Sequence, residues 1–196
     1  MKIKALFSLL LIVAGVYIIS IATVSCAQVG FPTGGDKDTI PPKLIKATPG
    51  QLNTNFKGNK ITLTFDEYIE VKEVQNNVMV SPFPKTNPYI EYKLKTVTVK
   101  LKDSLLPNTT YSINFGNAIQ DNNEGNPFKN FTYVFSTGNV IDSLELSGKV
   151  KMAESGKTDS TLLVLLYKTI SDTTVLTRKP DYISKLNGGG NFSFKN

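Results

Sequence analysis

A strict alternation of apolar and polar side chains constrains the fold of this chain more than any other feature. In the segment 60–66, Ile61, Leu63 and Phe65 alternate with threonines. The same period of two recurs in three further segments, 96–102, 110–116 and 131–138. Because successive side chains of a β-strand point to opposite faces, this period predicts strands with one buried face.

Turn-forming residues separate these predicted strands. They are Pro82, Pro84, Asn87-Pro88, Pro107-Asn108 and the polar segment 120–127. Short strands at this spacing, rich in threonine and aromatic residues, predict an all-β protein built as an antiparallel β-sandwich. Outside the N-terminus, the only helix that we predict is one turn within 71–78.

The N-terminus has the three parts of a secretory signal peptide. Lys2 and Lys4 precede an apolar run over 5–22, and small or polar residues follow it. We therefore predict a signal peptide over 1–25. The alternative is an uncleaved transmembrane anchor, because the run approaches the roughly 20 residues that cross a bilayer. Against this alternative, no basic cluster follows the run.

Cys26 is the only cysteine of the chain, so it cannot form an internal disulfide. A catalytic thiol would need a base or positive surroundings, and the chain has no histidine. The preceding Thr23-Val24-Ser25 resembles a lipobox, which implies that Cys26 carries lipid. Several acyl chains hold a protein durably at a membrane. We predict that residues 26–40 are the lipidated N-terminus and a flexible tether.

The composition excludes several classes of function. The formal net charge of +6 falls to +4 without Lys2 and Lys4, and no dense basic cluster remains to bind nucleic acid. The absence of histidine and of a second cysteine excludes the usual zinc sites. We predict no cofactor and no metal.

Four segments, taken in order, carry a family resemblance. They are "PPKLIKATPG" at 41–50, "ITLTFDEYIE" at 61–70, "LLPNTTYSINFGNAIQDNNEGNP" at 105–127 and "FTYVFSTG" at 131–138. This series is similar to the bacterial Ig-like domain first named from an S-layer protein (the SbsA-like type), and it covers 41–138. The resemblance implies an Ig-like β-sandwich that serves as an extracytoplasmic spacer or interaction domain.

The strand pattern restarts after residue 138. Leu144, Leu146 and Val150 alternate with polar residues, and the apolar run 161–167 predicts a central strand buried on both faces. The region resembles the opening of a prealbumin-like or carboxypeptidase-regulatory-like sandwich. We predict that 139–196 is a partial second β-sandwich, truncated and lacking strands, because so short a region buries too little surface alone.

Two acidic segments could carry chemistry. The segment 121–126 offers oxygen ligands for calcium, but an EF-hand loop needs glycine sixth and glutamate twelfth, where Gly125 is fifth and Thr132 twelfth. A hairpin turn is the favoured interpretation.

The second acidic segment comprises Asp66, Glu67, Glu70 and Glu73. It could hold a glycosidase pair of carboxylates, or it could be a solvated strand end. We favour the strand end, predict no catalytic residue and expect that the protein is not an enzyme.

Five Asp-Ser/Thr tripeptides resemble sites that some Gram-negative bacteria O-glycosylate. Their hydroxyl residues are Thr39, Ser104, Ser143, Ser160 and Thr173. Such tripeptides also arise freely in a threonine-rich strand protein, so both interpretations stay open.

Together these features predict a lipoprotein outside the cytoplasm whose Ig-like domain is a spacer or a protein-interaction module. Ala27 lacks the acidic character that retains some lipoproteins at the inner membrane, which favours the outer membrane. The predicted partners are the membrane, through the N-terminal lipid, and an envelope protein or a glycan, but not nucleic acid. Two alternatives remain: the N-terminal or accessory part of a larger envelope enzyme or transport protein, and a glycan-binding module.

Overall fold

A computed structural model describes residues 2–22 and 34–195, and the chain divides into one unit over 1–36 and another over 37–196. In the first unit, the apolar run forms helix α1 (Lys2–Ala22). Among the helices of the described residues, none combines the length and the apolar character that crossing a bilayer requires. The predictions for Thr23-Val24-Ser25 and Cys26 lie outside the described residues.

Short strands dominate the described part of the second unit. They are β1 (Leu44–Thr48), β2 (Lys60–Phe65), β3 (Ile69–Val71), β4 (Met79–Ser81), β5 (Tyr89–Lys93), β6 (Thr96–Lys100), β7 (Thr110–Asn114), β8 (Ile119–Asp121), β9 (Thr132–Ser136), β10 (Glu145–Lys149), β11 (Leu163–Leu166), β12 (Tyr182–Lys185) and β13 (Asn191–Lys195). Two four-residue helices accompany them, α2 (Val74–Asn77) and α3 (Thr174–Thr177). Helix α2 confirms the predicted turn within 71–78.

Two main antiparallel sheets form the sandwich, with strand orders β1-β2-β6-β5 and β4-β7-β9. A smaller pair, β3 and β8, accompanies them. In the first sheet Leu63 lies opposite Val97, and both are fully buried. The predicted alternation therefore places one face of each strand in the core, and the predicted all-β sandwich is confirmed.

Aromatic rings fill the middle of this core. The ring of Phe135 lies 4.5 Å from that of Phe56 and 5.3 Å from that of Tyr111. Tyr133, also fully buried, donates its hydroxyl hydrogen to the carbonyl oxygen of Pro49 at 2.9 Å. Burying one phenylalanine side chain stabilises a fold by about 1.5–3 kcal/mol, so this cluster is a main source of stability.

The region after residue 138 contains two two-stranded antiparallel sheets, β10 with β13 and β11 with β12. The prediction that 161–167 is buried on both faces is wrong, since Leu163 is 54% and Leu165 42% exposed. The physical reason is that β11 pairs with a single strand and its sheet is covered incompletely. The incomplete second sandwich stays a prediction.

Candidate interaction site

A cleft of about 970 Å³ lies between the outer face of the β4-β7-β9 sheet and the strands that follow residue 138. Its sheet side carries the polar residues Ser81, Ser112, Asn114 and Thr132 and the apolar residues Met79 and Val134. Its other side is mixed as well, with Leu144, Leu146, Phe192 and Phe194 beside the charged residues Glu145, Lys168 and Lys195. The alternation of β7 explains the polar part of the sheet side, because Tyr111 and Ile113 point into the core and leave Ser112 and Asn114 on the outer face.

Three hydrogen bonds among the described residues join the region after residue 138 to the sandwich, and they link Phe83 with Asp181, Asp142 with Thr110, and Lys179 with Lys85. The backbone N–H of Phe83 donates to the carbonyl of Asp181 at 2.8 Å, just before β12. A side chain, rather than backbone-to-backbone hydrogen bonds, connects β12 with β13. The buried hydroxyl of Ser184 donates to the carbonyl of Ser193 at 3.0 Å and accepts from the N–H of Ser193 at 3.3 Å. The cleft and this sparse bonding leave the region less firmly packed than the sandwich core.

Strand β11 exposes one edge. The carbonyls of Leu162 and Leu166 accept hydrogen bonds from the β12 side, from Leu186 and Asp181. The backbone groups of Leu163 and Leu165 therefore face away from β12. Within the described residues no strand pairs with that side.

The sequence of β11 contains none of the residues that usually protect an exposed edge strand. Natural edge strands are usually blocked by lysine, proline or a bulge, but β11 reads Leu-Val-Leu-Leu. The run 161–167 was the signal for this site, although the sequence predicted a buried strand rather than an exposed edge.

Both oxygens of the Asp121 carboxylate accept hydrogen bonds from backbone N–H groups of the same loop. Oδ1 accepts the N–H groups of Asn123, Glu124 and Gly125 at 3.0, 2.6 and 2.9 Å, and Oδ2 accepts that of Asn126 at 2.7 Å. Burial raises the pKa of Asp121, but the four N–H donors together hold it below its ordinary value. The loop has the turn that the sequence favours, rather than an open set of calcium ligands.

The structure separates the predicted acidic cluster into different environments. Glu70 forms an ion pair with Lys72 and accepts a hydrogen bond from Gln120 at 2.8 Å, and these contacts lower its pKa. Asp66 accepts the N–H of Lys43 at 2.8 Å. Glu73 takes a left-handed conformation at the start of α2.

The pKa of Glu67 is raised above its ordinary value. Burial is the main cause, and the charges of Asp121, Asp66, Asp38 and Glu124 add to it. In residues 2–22 and 34–195, no three His, Cys, Asp or Glu side chains gather as a metal site would require.

The five candidate glycosylation hydroxyls, Thr39, Ser104, Ser143, Ser160 and Thr173, are all on exposed residues. Three of the preceding aspartates form the same local turn. Asp38, Asp142 and Asp159 each accept the N–H of the residue two positions later, at 2.8, 2.9 and 2.9 Å. This turn explains why the tripeptides recur in loops, and glycosylation stays a prediction.

Two facing antiparallel sheets around an aromatic core define an immunoglobulin-like β-sandwich. The protein belongs to the bacterial Ig-like domain family, whose model matches residues 38–137, just over half of the chain. The resemblance seen in the sequence is thus confirmed for the Ig-like domain. No curated protein matches the chain.

Two solved structures illustrate what the chain is similar to. The N-terminal part of the bacterial S-layer protein SbsC has 16% identity over 80% of this chain and 33% of that one, with a TM-score of 0.34. An L,D-transpeptidase from Mycobacterium smegmatis has 8% identity over 74% of both chains, with a TM-score of 0.33. The chain spans about one third of the length of the SbsC structure.

Proposed function

We propose that this protein is a lipid-anchored module of the cell envelope that acts by binding another envelope protein or by spacing it from the membrane. Membership of the bacterial Ig-like domain family supports an extracytoplasmic role. The signal-like N-terminus and the lipobox-like residues before Cys26 support an anchor, and the non-acidic Ala27 favours the outer membrane as its location. The lack of histidine and of a second cysteine supports contact rather than catalysis.

The observation that carries the binding role is the open edge of β11. An extended segment of a partner can pair with such an edge as an added strand, because the free N–H and C=O groups of Leu163 and Leu165 can form backbone hydrogen bonds with it. The same two residues expose apolar side chains that the partner would cover. Strand addition therefore satisfies backbone hydrogen bonds and removes apolar surface from water at once.

The anchor is tested by mass spectrometry of the mature protein from its native host. We expect a product that begins at Cys26 and carries the added mass of acyl chains. A Cys26→Ser variant should retain the signal and lose the added mass. A mature protein that keeps residues 1–25 with a bare thiol contradicts the anchor.

The binding role is tested by cross-linking in intact cells, comparing two charge insertions. Leu165→Lys places a charge on the open edge, whereas Leu176→Lys places one on α3, where the side chain is 83% exposed. We expect Leu165→Lys to abolish a cross-linked product that Leu176→Lys retains. Equal product from both variants contradicts strand addition at β11.

A further inference from the structure

We infer that the outer face of the β1-β2-β6-β5 sheet binds a linear anionic polysaccharide. Antiparallel register builds a row across all four strands: Lys46 lies opposite Thr64, Thr64 opposite Thr96, and Thr96 opposite Lys93. The neighbouring residue Leu63 is fully buried, so this row points away from the core. With strands about 4.8 Å apart, the row places a lysine at each end of a span of roughly 14 Å.

A second row of hydroxyls runs parallel to the first. Thr48 lies opposite Thr62, Thr62 opposite Thr98, and Thr98 opposite Glu91. The two rows are about 7 Å apart, since they are two residues apart along each strand. We call these two rows, with the adjoining Lys60 and Lys100, the Thr–Lys face.

The charge of the Thr–Lys face is positive and mostly uncompensated. Lys100 pairs with Glu91 at 2.8 Å, with about half of each side chain exposed. Lys46, Lys60 and Lys93 form no ion pair with any described residue. A ligand that complements this face must therefore carry repeated negative charge.

The shape and composition of the face favour a polysaccharide over other polyanions. A protein partner needs a desolvated apolar anchor, and the Thr–Lys face offers threonines, lysines and Glu91 but no large apolar side chain. Single-stranded nucleic acid needs aromatic platforms, but the nearby Tyr89 ring has Lys100 and Lys102 over it at 5.6 and 5.8 Å. One row of hydroxyls with an ammonium at each end, beside a second row of hydroxyls, instead matches a sugar ribbon that carries hydroxyls and acidic groups.

The inference goes beyond the proposed function and depends neither on the lipid nor on β11. It is tested with the full chain in detergent, titrated with polygalacturonate, with neutral dextran and with polyglutamate, in low and high salt. We expect binding to polygalacturonate that weakens with salt, weaker binding to polyglutamate and none to dextran. Polyglutamate binding as strong as polygalacturonate binding overturns the inference in favour of an acidic protein.

Two pairs of substitutions locate the site. Lys46→Ala with Lys93→Ala should weaken polygalacturonate binding about tenfold, whereas the control pair Lys151→Ala with Lys157→Ala, equal in charge change, should leave it unchanged. Equal weakening by both pairs overturns the inference.

A second variant removes hydroxyls without changing charge. Thr64→Val with Thr96→Val keeps the branched side chains that suit a strand, and unchanged melting temperatures would show that the variant folds. We expect this pair also to weaken polygalacturonate binding. Unaltered affinity would mean that the face attracts polyanions by charge alone, which overturns polysaccharide recognition.

Discussion

The phenol oxygen of Tyr111 accepts a hydrogen bond from the backbone N–H of Leu106 at 2.8 Å. This bond ties the segment that precedes β7 back onto the strand, as in the tyrosine corner of immunoglobulin-like sandwiches. The ring of Tyr111 also stacks against Phe135, so the corner is fastened to the aromatic core. The "LPNTTY" segment at 106–111 of the sequence thus places a buried hydroxyl where it can accept a hydrogen bond from the turn.

Tyr111→Phe should lower the free energy of unfolding by about 1 kcal/mol, because the Leu106 N–H loses its acceptor while the aromatic packing remains. Urea denaturation measures the change. Tyr92→Phe removes a hydroxyl from a half-exposed tyrosine and should change the stability little. Equal effects from the two substitutions would show that the corner does not stabilise the sandwich.

The strands of the sandwich were predictable because their signal is local. In β2 and β6 the alternation identifies which side chains are buried, and Ile61 and Val99 are indeed inaccessible to solvent. The burial of β11 was not predictable in the same way, because an apolar run does not specify how many strands will flank it. Helix α3 was also missed, since the four residues Thr174–Thr177 are too few to show a helical period and the N-cap residue Thr173 makes no side-chain capping hydrogen bond.

The candidate sites were predictable only in part. The sequence identified the Asp121 loop as a turn from its Asn and Gly content, but not the four N–H groups that converge on one carboxylate. The Thr–Lys face depends on strand pairing, which brings Thr64 beside Thr96 from segments more than 30 residues apart. The whole fold determines which strands pair, so neither segment alone predicts this pairing.

Asp121→Asn should lower the free energy of unfolding by about 2–3 kcal/mol at neutral pH. The charged carboxylate accepts four N–H groups, whereas the amide that replaces it has one neutral acceptor oxygen. The native pKa lies below the ordinary value, so the stabilisation is full above pH ~4 and is lost as the pH falls through the native pKa. The difference between wild type and variant should therefore shrink in acid. Thermal melts from pH 7 to pH 2 measure it.

Asp172→Asn is the control for this experiment, since Asp172 is exposed and makes none of these bonds. Its melting temperature should follow that of the wild type at every pH. A cost at Asp121 that is independent of pH would contradict a role for the charge.

Added calcium should leave the melting temperature of the wild type unchanged. A bound ion stabilises the folded state, but both Asp121 oxygens are already engaged by backbone N–H groups. Magnesium at the same ionic strength controls for general salt effects. A rise specific to calcium would show that the loop opens to bind it.

Glu67→Gln should stabilise the protein at pH 7 by on the order of 0.5 kcal/mol, because it removes a charge that burial and neighbouring carboxylates disfavour. The raised pKa means that the folded state binds the proton more tightly than the unfolded state does. The penalty is therefore absent below the ordinary pKa of ~4.3 and grows as the pH rises through the native value. The benefit of the substitution should vanish in acid. Glu154→Gln, on an exposed residue, should give no benefit at any pH.

Gly190→Ala tests whether the C-terminal strands depend on the close approach of Gly190 to Val150 and Thr158. Gly190 has φ +75°, and a Cβ there would lie 2.6 Å from the carbonyl oxygen of Val150 and 2.5 Å from Thr158. We expect the free energy of unfolding to fall by at least ~1–2 kcal/mol from the left-handed conformation alone. Proteolysis and hydrogen exchange should be faster in 139–196 than in the sandwich. Gly188→Ala is the matched control, because nothing lies within 4 Å of its Cβ position. Similar protection of 139–196 in the two variants would mean that the β10–β13 pairing does not rely on this contact.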